Sequence, residues 1–190
     1  MPEKYVIEHC SPTLAGIKTG NLFRIQLEGL SNIYDEIREL NNILLSKGLR
    51  TVPVQITEKY ALVYIYRPDL LERDLKCPEA QEILEMKGYA CTSTMSCLVQ
   101  LIRHLAEDSE FPHEIGLFLG YPPSNVKQFM ADPCQGVQCS GCWKAYSNPT
   151  EAERTFNRYK KCTEVYRRLH QEGKSLSQLA VKTQKGSLCI

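Results

Sequence analysis

Thr51-Val52-Pro53-Val54-Gln55-Ile56-Thr57-Glu58-Lys59-Tyr60-Ala61-Leu62-Val63-Tyr64-Ile65-Tyr66 is the stretch that decides the fold class. Val52, Val54 and Ile56 alternate with polar neighbours, the period of a strand with one buried face, whereas Tyr60 to Tyr66 is apolar on both faces, as a strand inside a sheet must be. The pair reads as a β-hairpin whose second strand is central. Pro53 has no N–H to give to a ladder, so the first strand belongs at an edge or a bulge.

Downstream of the hairpin the period changes to that of helices. Pro68-Asp69 opens a helix over Leu70–Leu75, and another runs from Pro78 to Met86. Ser93 caps a helix faced by Met95, Leu98, Val99, Ile102 and Leu105 that ends near Asp108, and a short one covers Ser124–Met130. Phe156, Tyr159, Cys162, Tyr166 and Leu169 stripe a long helix from Pro149 to Gln171, stopped by Gly173, and Ser175–Leu179 adds a turn or two. Upstream, Ile33, Tyr34, Ile37, Leu40, Ile43 and Leu44 mark a helix capped by Ser31 and stopped by Gly48. Strands are expected at Tyr5-Val6-Ile7, Ile115–Leu119 and Val137–Tyr146. The sum is an α+β fold, a small, mostly antiparallel sheet of about five strands packed with several helices. One domain over residues 1–182 and a flexible C-terminal tail over 183–190 are expected.

Composition sets the outer limits. The chain has 190 residues, enough for one core, and its Lys+Arg 23 against Asp+Glu 22 gives a formal charge of +1. That balance lacks the basic excess of a nucleic-acid-binding surface. No basic and apolar leader precedes the first strand and no apolar run is long enough for a bilayer, so a cytoplasmic protein without membrane contact is expected. Nine cysteines, an odd number without an export signal, are expected to be reduced thiols.

Three constellations carry possible chemistry. Cys10, read at a strand-to-helix junction before Ser11-Pro12, is placed where helix dipole and free backbone donors favour a thiolate. His113, at the mouth of the expected strand 115–119, is the best-placed general base. Asn148 or Asp132 is the third member that would orient it, backbone donors near Pro12 to Leu14 would hold an oxyanion, and Lys18, Asn21 and Glu114 would line the substrate pocket. The implied activity is thiol-dependent acyl transfer or hydrolysis on an unknown substrate. Cys134, Cys139, Cys142 and Cys162 form the second set, whose spacing allows zinc or an iron–sulfur cluster as an alternative cofactor. Strand parity opposes it, because Cys139 and Cys142 point to opposite faces of a regular strand. The third set interleaves Trp143, Tyr146, Tyr159 and Tyr166 with Lys144, Arg158, Lys160, Lys161, Arg167 and Arg168, residues able to hold an anion or nucleotide, and its part on helix 150–171 is a face able to meet a protein partner.

His113-Glu114-Ile115-Gly116-Leu117-Phe118-Leu119-Gly120-Tyr121 resembles the His-bearing strand of papain-like cysteine hydrolases. Over a longer span, Cys10-Ser11-Pro12-Thr13-Leu14-Ala15-Gly16-Ile17-Lys18, Tyr64-Ile65-Tyr66-Arg67-Pro68, the block from Pro112 to Pro122 and Trp143-Lys144-Ala145-Tyr146 together resemble a bacterial family known as domain of unknown function 3793. The resemblance implies a small intracellular protein, found mostly in anaerobic Firmicutes, and brings no activity or cofactor with it. Cys10 and His113 lie in its two strongest blocks.

Overall fold

The computed structural model describes residues 3–28, 32–107 and 110–183. The hairpin forms as its sequence dictates. β2 (Arg50–Ile56) and β3 (Tyr60–Tyr66) pair antiparallel, and β1 (Gly20–Gln26) pairs with the other edge of β3, giving the order β1-β3-β2. β3 is therefore central and β2 an edge strand, with its register broken between Pro53 and Gln55 where the missing N–H leaves the ladder.

Because successive residues of β3 face opposite sides, the strand feeds two cores. Ala61, Val63 and Ile65 join one, built with α1 (Glu3–Leu14), α2 (Ile33–Leu44) and the short α9 (Leu176–Leu179). Tyr64 and Tyr66 join the other, built with α3 (Pro68–Leu75), α4 (Pro78–Met86), α5 (Thr94–Glu107), α6 (Ile115–Phe118) and α7 (Pro123–Ala131). A small hairpin, β4 (Cys139–Ser140) with β5 (Lys144–Ala145), leads into the long α8 (Pro149–Gln171), which lies along α1. Among the described residues, no helix is long and apolar enough to cross a membrane.

Several elements depart from the sequence reading. Tyr5-Val6-Ile7 is helical, because Val6, Ile7, Cys10 and Leu14 share one face at helical spacing and all are buried in the α1 core. Pro12 lies inside this helix instead of starting one. Ile115–Leu119 is not a strand: residues 115–118 form the helical turn α6, a four-residue apolar run whose period could not separate the two. Val137–Tyr146 keeps only two-residue strands around a turn. The sheet gains β1 instead, and five strands result among the described residues, divided three and two. Asn32 caps α2, its side chain accepting from the Tyr34 N–H at 2.9 Å. The expected cap Ser31, the helix end at Asp108 and the tail beyond Thr183 lie outside the described residues.

Candidate ligand cavity

Two helix stops meet at the end of the sheet where β1 begins and β3 ends. After α1, Gly16 takes φ +78°, Gly16 N–H donates to Thr13 O at 3.1 Å and Ile17 N–H to Pro12 O at 3.0 Å, the paired bonds of a Schellman stop. After α6, Gly120 takes φ +74°, with Gly120 N–H to Leu117 O at 3.1 Å and Tyr121 N–H to Gly116 O at 2.9 Å. The two loops touch: a Cβ on Gly120 would stand 2.6 Å from Thr19 Oγ1. Thr19 in turn donates through its hydroxyl to Asp74 at the end of α3.

Arg67, at the end of β3, fixes this corner. The residue is 2% exposed, and its guanidinium donates to the carbonyls of Thr13, Leu14 and Val181 at 2.7–2.8 Å and to the Thr183 hydroxyl at 2.8 Å. It thus adds a charged donor to the Thr13 and Leu14 carbonyls, which also accept the Gly16 and Val181 N–H groups, at the negative end of the helix dipole.

The chain leaving the first stop places Lys18 in the wall of a cavity of about 440 Å³. Thr19, Asp74, Asn125, Trp143 and Arg158 also line it, together with Asn148 at the start of α8. Lys18 is 5% exposed; its ammonium donates to the Gly20 carbonyl and lies 5.3 Å from the centroid of the Tyr121 ring. Among the described residues no carboxylate forms an ion pair with it. Burial pulls its pKa down to about 8, while the thiols of Cys142 and Cys10 pull the other way. Asp74 is already occupied, by Arg73 at 2.7 and 2.9 Å as well as by Thr19.

A second cavity of about 390 Å³ adjoins the first, and Asn125 and Trp143 line both. Its other walls are mainly apolar: Ile115, Val126, Phe129, Tyr121 and the turn Ser140–Cys142. Trp143 is wedged against Tyr121, ring centroids 5.1 Å apart, and edge-on to Phe156 at 4.6 Å. Its indole Nε1–H is buried with no hydrogen-bond partner among the described residues. Asn125, 5% exposed, fixes the following strand by accepting the Tyr146 N–H at 3.0 Å.

The residues singled out from sequence are dispersed around this centre. Cys10 is on the inner face of α1, with no exposed surface, among Val6, Ile7 and Leu14, and burial holds its thiol far above the ordinary value. It sits near the helix C-terminus, not the N-terminus, so the dipole opposes a thiolate there. His113 is exposed on the turn before α6, edge-on to Phe129 at 5.0 Å, and no hydrogen bond joins it to Cys10, Asn148 or Asp132. Asn148 caps α8, accepting from Glu151 N–H at 3.3 Å, and Asp132 accepts the Cys134 and Gln135 N–H groups at 2.8 and 3.0 Å, which holds its carboxyl below the usual range. Asn21 accepts from the Thr13 hydroxyl at 2.7 Å. Glu114, 2% exposed, accepts from Tyr89 at 3.0 Å and faces His104 Nδ1 at 3.4 Å, tying α5 to α6. Lys18 alone of the expected pocket residues lines the polar cavity.

The cysteine set is scattered too. Cys142 is on the β4–β5 turn at the apolar cavity, Cys134 is exposed after α7, Cys139 faces the Pro149 carbonyl, and Cys162 lies on α8, its thiol raised to about 11 by burial. Among the described residues, no three His, Cys, Asp or Glu side chains are grouped to hold a metal ion. Cys91 and Cys97 are joined by a disulfide, which corrects the expectation that every thiol is free. On α8, Tyr166 and Leu169 pack on the α1 core and Arg167 pairs with Glu8 at 3.1 Å, so part of the expected partner face is an internal contact.

Of the basic and aromatic set, Trp143, Arg158 and Tyr159 line the polar cavity, whereas Asn125, Tyr121 and Asp74 are missed from sequence as site residues. Only the Gly-Tyr-Pro stop at Gly120 pointed toward them, because they converge from segments far apart in the chain.

The chain belongs to the family described as protein of unknown function (DUF3793), whose model matches residues 6–180. No curated protein and no solved structure matches it.

Proposed function

We propose that the chain binds a small organic anion in the polar cavity, with Lys18 as the countercharge. The observation that carries this reading is a lysine, 5% exposed, in a cavity wall, whose ammonium forms no ion pair with a carboxylate among the described residues. A buried cation costs free energy unless a counter-charge or hydrogen bonds compensate it, and one carbonyl acceptor leaves two of its three donors for a ligand. Arg158 and Arg73 add positive charge to the wall, against the carboxylates of Glu151 and of Asp74, the latter paired with Arg73, and Thr19, Asn125 and Asn148 supply neutral polar groups. This is the composition of a small-molecule site, concave with a few convergent polar groups. A cytoplasmic setting, where such metabolites are abundant, is part of the same proposal.

Calorimetric titration of the full chain with acetate, butyrate, succinate and inorganic phosphate tests it. At least one should bind, with affinity lowered about tenfold or more in Lys18→Met, in line with the loss of a charge-assisted hydrogen bond. Above pH 8, where Lys18 loses its proton, wild-type affinity should fall with rising pH. Binding equally strong in Lys18→Met, or independent of pH from 7 to 10, contradicts the reading.

A thiol-dependent activity is the second reading, and one observation moves it to a different sulfur. Cys142 and His113 line the same cavity, whereas Cys10 is enclosed. Lys18 draws the Cys142 thiol down, but partial desolvation outweighs it and leaves the thiol raised. A thiol kept in its neutral form supports binding over nucleophilic attack.

A further inference from the structure

The polar cavity explains where a charge would sit but not the second cavity beside it. The shared wall of Asn125 and Trp143 puts the Lys18 chamber and the apolar chamber in contiguity, so one ligand can occupy both. Two features of that wall call for such a ligand. Trp143 Nε1–H is buried and has no partner among the described residues, a donor that a ligand oxygen at the junction would satisfy. Ile115, Val126, Phe129 and the Tyr121 ring beyond it offer mainly apolar surface; the wall's one lysine, Lys144, already donates to the Pro133 carbonyl at 2.8 Å, and His113 stands beside Phe129.

From this we infer that the ligand is an amphiphilic carboxylate, its head paired with Lys18 and its aliphatic tail lying past Trp143 among Ile115, Val126 and Phe129. The inference rests on the anion-binding reading and specifies its substrate class. The two ends divide the energetics: the head supplies orientation through a charge-assisted hydrogen bond, and the tail supplies affinity through buried methylenes. Cys142 at the mouth of the apolar chamber is then covered by a bound tail and not by a bound head alone.

The test is a series of straight-chain monocarboxylates from acetate to decanoate, below micellar concentrations, with 1-decanol as an uncharged control. Trp143 is the single tryptophan of the chain, so its emission reports the junction directly. Affinity should rise up to about fourfold per added methylene until the chamber is filled, then level off. Decanol should bind at least about tenfold more weakly than decanoate, matching the loss of the charged head. Decanoate should slow alkylation of Cys142 by iodoacetamide, and acetate should not. Phe129→Ala should flatten the chain-length series while leaving acetate binding Lys18-dependent, and the wild-type series stands by itself if that variant does not fold. Short acids that bind through Lys18 with no gain from a longer tail overturn this inference and leave the anion site standing. Tail-dependent binding equally strong for decanol, or in Lys18→Met, overturns both readings, as does an absence of binding throughout the series.

Discussion

Lys18 and Cys10 show how environment, more than residue type, decides which groups can act. Both are buried and each perturbs the other, yet only the lysine reaches a cavity. Cys10 attracts attention in the sequence because Ser11-Pro12 reads as a helix start. In the folded chain Pro12 is inside α1, and the thiol faces Ile7 and Leu14 in the core. Alkylation with dilute iodoacetamide at neutral pH should therefore modify Cys134 and Cys142, both exposed, and leave Cys10 untouched until the protein is unfolded. Peptide mapping by mass spectrometry reads the outcome, and Cys10 labelled in the native protein at a rate near that of Cys134 would refute its burial. Lys18 was legible as a polar residue beside a reactive-looking segment. Trp143 and Asn125 were not legible as its companions, since nothing in their local pattern tells that β5 and α7 close over the α1–β1 loop.

Among elements, the hairpin was readable because two independent signals agree there, the change from one-faced to two-faced hydrophobicity and the position of Pro53. α1 and α6 were misread for opposite reasons. α1 carries a helical stripe whose first members, Val6-Ile7, are β-branched neighbours that mimic a strand, and α6 is too short to express any period. The loss of the strand at 115–118 also removes the basis for the papain-like resemblance, which needs histidine at the head of a strand. Elements here are locked by their ends, and Arg67 is the clearest case, joining the end of α1, the start of α3 and the segment 181–183. Arg67→Met would keep the aliphatic packing and take the charged donor from three carbonyls, of which Thr13 and Leu14 keep only the backbone N–H groups of Gly16 and Val181. It should cost about 3 kcal/mol, seen as a lower midpoint of urea unfolding. A change below about 1 kcal/mol would show that water replaces the guanidinium without penalty.

At the level of the whole molecule, a three-stranded sheet separates two cores, and the cavities lie where loops from both layers converge at one end of it. α1 and β1 bring Lys18 from one layer, whereas α3, α6 and α7 bring Asp74, Tyr121 and Asn125 from the other. That convergence explains why the fold class could be read from sequence patterns and the site could not: patterns report which face of an element is buried, not which loops meet. It also gives ligand binding a global consequence, because an anion contacting both layers stabilises the native state over the unfolded chain.

The central claim is that Lys18 is a buried ammonium awaiting an anion, and the direct measurement is the titration of its side chain. With 13C-labelled lysine and the Cε resonance assigned by its absence in Lys18→Met, the midpoint should lie near 8 instead of the ordinary 10.5. Saturating carboxylate should move that midpoint to higher pH, because an anion beside the ammonium favours its charged form. A Lys18 midpoint at the ordinary value, unmoved by any carboxylate, contradicts the account.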